Sequence, residues 1–351
     1  MRLRCFHHPL YHYPLPAEHP FPMDKFSRSR ALLEAELPDA MFLAPEPAPW
    51  ELLTLVHDPA YLTAVRDGGL SVFDRNRLGL PDDAALFDRC RRETHGTVLA
   101  LRAALEVGVA ANLGGGTHHA FADRGLGFCV LNDVAVACAV LRAERPGLRA
   151  LVLDTDAHQG NGTHALLRGQ PDRFSASLHV GRNYPAAKEA GDLDVALPRG
   201  VDGPAYLAAL DAALAEIAGR FAPDVIFWNA GVDLHVADRF GQMALTDADF
   251  AARDARVLAW TRARGVPLVA LYGGGYNRDR AHTARLHVDT VKRVAAAYGA
   301  ALSSATSSAN PSTTRAPSPS SRSRCWWPCA TNTQSTPIAR AASASCAVSP
   351  T

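Results

Sequence analysis

The sequence predicts an α/β domain built on a parallel sheet with helices on both faces, and three observations predict it. Short apolar runs alternate with longer segments of helical apolar spacing along most of the chain, the pattern of strands joined by crossover helices. Four of the runs, ending near residues 113, 153, 228 and 271, open into polar or Gly-rich stretches. In a parallel sheet such exits share one edge, where open α/β folds place their chemistry. Finally, a chain of 351 residues with 48% hydrophobic content can bury a sizeable core.

Taken in order, residues 1–30 read as a strand and a Pro-rich loop, and residues 27–37 as a helix with a Ser cap. Residues 50–65 form two short helices split at Asp58-Pro59, because the residue before proline is pushed out of the helical region. A long helix covers 84–108, with Gly108 at its end. A strand over 110–113 follows, then a helix over 134–143, a strand over 149–154 and a short helix over 163–168. Residues 174–179 are a strand, and turn formers carry the chain through 183–185 as a loop. The remainder reads as helix 203–220, strand 225–228, helix 247–264 capped by Thr246 or Asp247, strand 268–271 and helix 280–299. Past residue 300 the composition shifts to Ser, Thr, Ala and Pro, with arginine the only charged residue type. Such a segment cannot offset its ordering entropy. It is either a disordered tail or a shifted reading frame fused to an intact domain, so the organisation expected is a domain over 1–300 and a low-complexity tail over 301–351.

A net charge of +1 excludes nucleic acid or an acidic membrane as an obligatory partner. No run has the length and purity of a membrane span, and the N-terminus has no apolar signal core. The seven cysteines are scattered without zinc-ribbon or disulfide spacing, which points to a reducing cytoplasm.

The chemistry centres on residues 151–163, LVLDTDAHQGNGT. Asp154, Asp156 and His158 alternate, so an extended backbone points all three to one side. Asp156 and His158 at one exit with Asp233 at another supply two carboxylates and an imidazole, a set that holds catalytic zinc with a position open. Such a metal can activate water and polarise a carbonyl. His118-His119 follows three glycines and is a candidate base pair; each imidazole needs a partner on its far nitrogen, and Asp154 and Asn161 are available. Tyr276 can donate to a developing oxyanion, and Phe128 can wall an apolar channel. Together these parts describe amide hydrolysis.

The stretches GGGTHHAFADRGLGFCVLND, LVLDTDAHQGNGT, WNAGVDLHVADRFGQMALT and YGGGYN, in this order, resemble the histone deacetylase superfamily, and DAHQGNGT is most similar to its class IV branch and bacterial relatives. The resemblance covers roughly residues 5–300. It implies a three-layer α/β/α fold of the arginase/deacetylase type, with a mostly parallel, about eight-stranded sheet. It implies one zinc ion on Asp156, His158 and Asp233, His118 and His119 as the tandem histidines, and Tyr276 as the transition-state tyrosine. Asp154 matches the acid behind the first histidine, and Asp154, Ser177 and Leu178 match a structural K+ site. Phe128 matches one tunnel wall and Tyr184 lies about where the other falls; Gly127, Gly274 and Gly275 are expected beside the substrate. Lys25 falls near an internal-channel arginine, and Asp82 and Asp83 are candidates for an acid on the rim. Asn161 replaces the acid many members carry behind the second histidine, which implies a lower pKa for His119 and leaves open which histidine is the base.

The implied substrates are acylated lysine in protein or a small N-acyl amine, with acetyl or longer acyl groups. Two rivals remain. A two-manganese ureohydrolase of the arginase type shares the fold but needs further carboxylates, and Gln159 stands where one would be added. A non-catalytic acyl-lysine-binding relative would keep the fold without turnover.

Overall fold

The computed structural model describes residues 2–306. In chain order its elements are β1 (Arg4–Phe6), α1 (Asp24–Glu36), β2 (Met41–Leu43), α2 (Trp50–Leu53), α3 (Pro59–Asp67), α4 (Val72–Leu78), α5 (Ala84–Val107), β3 (Val109–Asn112) and α6 (Asp133–Glu144). There follow β4 (Ala150–Asp154), α7 (Asn161–Leu167), β5 (Arg173–Val180), β6 (Leu193–Leu197), α8 (Gly203–Arg220), β7 (Val225–Asn229), α9 (Asp247–Ala263), β8 (Leu268–Leu271) and α10 (Arg280–Thr306). The strands make one eight-stranded sheet in the order β2-β1-β3-β8-β7-β4-β5-β6. Every pairing is parallel, so "mostly parallel" understates the sheet.

Alternation along the central strands builds two cores. On β4, Leu151 and Leu153 pack with Tyr206, Leu210, Phe250 and Leu286 from α8, α9 and α10, while Ala150 and Val152 pack with Val98, Leu101, Val134 and Leu141 from α5 and α6. β7 divides likewise, Ile226 and Trp228 facing one layer and Val225 and Phe227 the other. A strand covered on both sides has no polar face, which is why these runs are apolar throughout. Each fully buried large side chain contributes about 1.5–3 kcal/mol, and Trp228 meets its polar need by donating from Nε1 to Thr155 Oγ1 at 3.0 Å.

Local signals fix most helix ends. Asp83 caps α5 by accepting from the Leu86 N–H, and Gly108 closes it in the left-handed conformation. Thr246 and Asp249 form a reciprocal capping box at α9. Three elements have no counterpart in the sequence reading. β2 is a three-residue edge strand, and β6 is an edge strand with only Leu193 buried, in the stretch that reads as turn formers and loop. α4 carries its apolar Val72 and Phe73 outward, each 66% exposed, so no buried stripe announces it. α1 begins at Asp24 rather than at Ser27, and α7 at Asn161. α10 runs through Gly299, where the expected helix ends, and on to Thr306, because good helix formers on both sides of that glycine keep it going. From residue 307 the expected tail lies outside the described residues.

Candidate metal and acyl-amide site

The site forms where β4 gives way to α7, and strand alternation is not what aligns its residues. β4 ends at Asp154, and two side-chain turns follow: the Asp156 N–H donates to Asp154 Oδ1 at 3.1 Å, and the His158 N–H to Asp156 Oδ1 at 3.0 Å. Short acids favour such turns because the carboxylate substitutes for a backbone acceptor. The turns bring Asp156 and His158 against Asp233, just past the end of β7. Arg253 of α9 steadies that second loop by donating to the Gly231 carbonyl at 2.5 Å.

His158 Nδ1 lies 2.7 Å from Asp233 Oδ2 and 3.1 Å from Asp156 Oδ1. One nitrogen and two carboxylate oxygens thus converge within 4.8 Å, all on buried residues. The other carboxylate oxygens are engaged by backbone: Asp233 Oδ1 accepts from the Ala157 N–H at 2.8 Å, and Asp156 Oδ2 from the Gly274 N–H at 2.7 Å. Burial, reinforced by Asp156, pushes the Asp233 carboxyl up to about 7. A divalent cation between the two acids relieves that repulsion, and a buried N/O set with one side toward a cavity fits zinc. Gly274 is required here, since a Cβ would lie 2.6 Å from both Asp156 and Asp233.

The tandem histidines meet the same centre, with ring centroids 4.0 Å apart. His118 Nδ1 donates to Asp154 Oδ2 at 2.6 Å. Burial opposes its charge, but Asp154 and then Asp156 outweigh it and push His118 up to about 9. His119 Nδ1 donates to the Asn161 amide oxygen at 2.9 Å, which leaves Nε2 as an acceptor. Burial, with His118 and His158 adding positive charge, holds His119 well below the usual histidine range, and Asn161 only partly offsets this. The loop carrying both is held by Asp133. Its carboxylate accepts from the Gly116 and Thr117 N–H groups at 3.1 and 2.8 Å and from Thr97 Oγ1 at 2.6 Å. In the sequence Asp133 reads only as the start of a helix.

Tyr276 faces His158 across the site, ring centroids 6.5 Å apart. Its backbone N–H donates to Asp238 Oδ2 at 2.6 Å, a contact that nothing in the sequence marks. Burial, then Asp156 and Asp233, push its phenol well above the usual range, so it keeps its proton. A cavity of about 310 Å³ joins His119, His158 and Tyr276 to the surface, walled by Phe128 and Tyr184, with Gly127 beside them. Phe128 holds φ at 66°, a conformation that costs a bulky residue about 1–3 kcal/mol. Its N–H donates to the Leu78 carbonyl at 2.7 Å, tying the wall to the end of α4. A smaller cavity of about 30 Å³ lies deeper, among Phe21, Lys25, Gly116, Gly273, Gly274 and Tyr276. Lys25 there donates to the Gly273 carbonyl at 2.9 Å, and burial brings it down to about 8 despite Asp156 and Glu93.

Several expected positions fall elsewhere. Gly275 lines neither cavity; a Cβ there would meet Val232, Thr283 and His287, so it serves packing rather than substrate. Asp83 caps α5 and accepts from the Tyr13 hydroxyl, while Asp82 accepts from the Leu70 N–H and faces Arg75, so neither reaches the rim. Asp154 and Ser177 are register partners, but Asp154 is engaged by His118, Asn229 and the Asp156 N–H, and Ser177 Oγ by His179. A second trio, His235, Asp247 and His282, is satisfied by itself. His235 Nδ1 accepts from the Ala237 N–H, which puts its proton on Nε2, facing Asp247 at 3.1 Å.

Comparison with known proteins defines the class. The histone deacetylase domain family matches residues 19–291, and the chain belongs to this family. It is 39% identical to an uncharacterised protein of Picosynechococcus sp. over 78% of this chain and 92% of that protein. Acetoin utilization protein AcuC of Bacillus subtilis is 31% identical over 74% of this chain and 73% of its own. Histone deacetylase 2 of Arabidopsis thaliana is 28% identical over 79% and 73%. The crystal structure of an HDAC homologue complexed with SAHA superposes with a TM-score of 0.72 at 25% identity, covering 85% of this chain and 84% of that one. No helix among the described residues is long and apolar enough to cross a membrane.

Proposed function

We propose that the chain is a zinc-dependent amidohydrolase that removes a short acyl group from an N-acylated lysine or related amine. The observation that carries this reading is one cavity lined by His119, His158 and Tyr276, with His158 at the same time a member of the Asp156–His158–Asp233 trio. Zinc held by the trio supplies a Lewis acid that polarises the acyl carbonyl and lowers the pKa of water. His119, neutral with Nε2 free, takes the proton of the attacking water and returns it to the amine as the C–N bond breaks. His118, charged through its bond to Asp154, steadies the negative charge that develops beside it. The Tyr276 hydroxyl donates to the carbonyl oxygen as it becomes an oxyanion. Phe128 and Tyr184 line the channel for the amine's alkyl chain.

Among the described residues the trio has no fourth acid, and the Gln159 amide is engaged by the Glu189 carbonyl and Asp194. Both facts support one metal over a bridged pair. The deeper cavity holds roughly two water-sized groups, which favours acetyl over long chains. A panel from acetyl to myristoyl on lysine and on polyamines, run with zinc-loaded protein, is the test. Acetyl should be removed fastest; a myristoyl optimum would overturn the short-acyl assignment. Zinc and acyl-lysine binding with no carboxylate released from any member would identify a non-catalytic relative.

Asn161→Asp tests which histidine is the base. A carboxylate in place of the amide favours the imidazolium and raises the His119 pKa. The acid limb of kcat/KM should move to higher pH, because a base with a higher pKa stays protonated further up the scale. An unmoved limb would take the base role away from His119. The same reading keeps residues 1–300 as the catalytic domain, 301–351 as a tail, and a cytoplasmic setting, supported by Cys5, Cys90, Cys129 and Cys138, which are buried and form no disulfide among the described residues.

A further inference from the structure

The mouth of the outer cavity carries two arginines and no acid. Arg77, in the last turn of α4, and Arg239, in the loop between β7 and α9, both line it and are both exposed. The other polar residues at the mouth, Asn76, Asn183 and Gln242, are neutral. Among the described residues neither guanidinium is ion-paired, whereas neighbouring Arg75 faces Asp82 at 3.4 Å. Each lies over an aromatic ring instead, Arg77 over Phe73 at 5.3 Å and Arg239 over Phe240 at 5.3 Å. Such contacts orient the side chain without neutralising it. The acids nearest in sequence are turned away: Asp238 accepts from the Tyr276, Phe240 and Gly241 N–H groups, and Asp74 from Ser71. The two rim loops are also braced, since Asn183 donates to the Phe240 carbonyl at 2.8 Å and Lys188 to the Asn183 carbonyl at 2.7 Å.

We propose that Arg77 and Arg239 form an anion-binding rim that selects acyl-amines carrying a carboxylate beside the acylated side chain. The proposal rests on the hydrolytic reading above and names its substrate class. An acyl-lysine whose amide lies by Tyr276 brings its backbone and flanking groups out to the mouth. A carboxylate there, from a neighbouring Asp or Glu or from the free α-carboxylate of acyl-lysine itself, meets two cations. An acylated polyamine brings an ammonium to the same place and is repelled. Both charges are solvent-exposed, so the preference is modest and falls with salt.

The test uses the zinc-loaded full chain and labelled acetyl-lysine peptides of one length, flanked by acidic, neutral or basic residues. Fluorescence anisotropy reads binding and acetate release reads turnover. Free acetyl-lysine, its α-amide and N-acetylputrescine separate the two sources of carboxylate. Acidic flanks should bind roughly 3- to 10-fold tighter than basic ones at low salt, in KM rather than kcat. The Arg77→Glu/Arg239→Glu double variant should reverse that order. Equal binding of acidic and basic peptides, binding of neither, or an order that survives the double variant overturns the rim. Charge-ordered binding without acetate release keeps the rim and overturns the hydrolytic reading; acetate release with the same KM for every substrate does the opposite.

Discussion

Asp233→Ala should abolish zinc binding and acyl hydrolysis together while leaving the fold in place. Asp233 is fully buried, with one oxygen on the Ala157 N–H and the other 2.7 Å from His158 Nδ1. Truncation leaves a single carboxylate and an imidazole to hold the ion. Losing even a partner behind a ligand costs about 10–100-fold in metal affinity, so loss of a ligand should exceed 100-fold. The Ala157 N–H also loses its acceptor, at about 1–3 kcal/mol. Asp233→Asn separates the two effects, since the amide oxygen can still accept from Ala157 while the charge is gone. Metal analysis after dialysis and acetate release provide the readouts, with circular dichroism as the check on folding. Stoichiometric zinc retained by both variants would remove Asp233 from the ligand set.

How much of this was legible in the sequence depended on distance along the chain. Helix 203–220 and strand 268–271 could be read to the residue because their signals are local: Asp202 caps the first, and the second is a pure apolar run. The trio was legible because each member follows a strand. The alignment of Asp154, Asp156 and His158 differs from the reading, since side-chain turns at Asp154 and Asp156 replace the strand alternation that the spacing suggests. Asp133 and Asp238 went unread for a different reason. Their partners lie 16 and 38 residues away, at Thr117 and Tyr276, and only the fold brings them together. The rim was hidden too: Arg77 and Arg239 come from different elements, and a net charge of +1 averages them against acids elsewhere.

Tyr276→Phe should fold and bind metal like the parent, yet lose on the order of 10²–10³ in kcat, about 2.7–4 kcal/mol of transition-state stabilisation, as for a lost oxyanion donor. The ring does not depend on its hydroxyl for placement. Phe21, Phe128 and Phe240 surround it at centroid distances of 6.0, 6.0 and 5.4 Å, and Asp238 holds its backbone N–H. Removing one oxygen therefore removes a donor and little else. The donor is real at neutral pH, because burial together with Asp156 and Asp233 keeps the phenol protonated far above it. A ground-state carbonyl needs that proton less than an oxyanion does, so KM should change little while kcat falls. A rise in KM at constant kcat would make Tyr276 a channel wall, and unchanged turnover would remove it from the chemistry altogether.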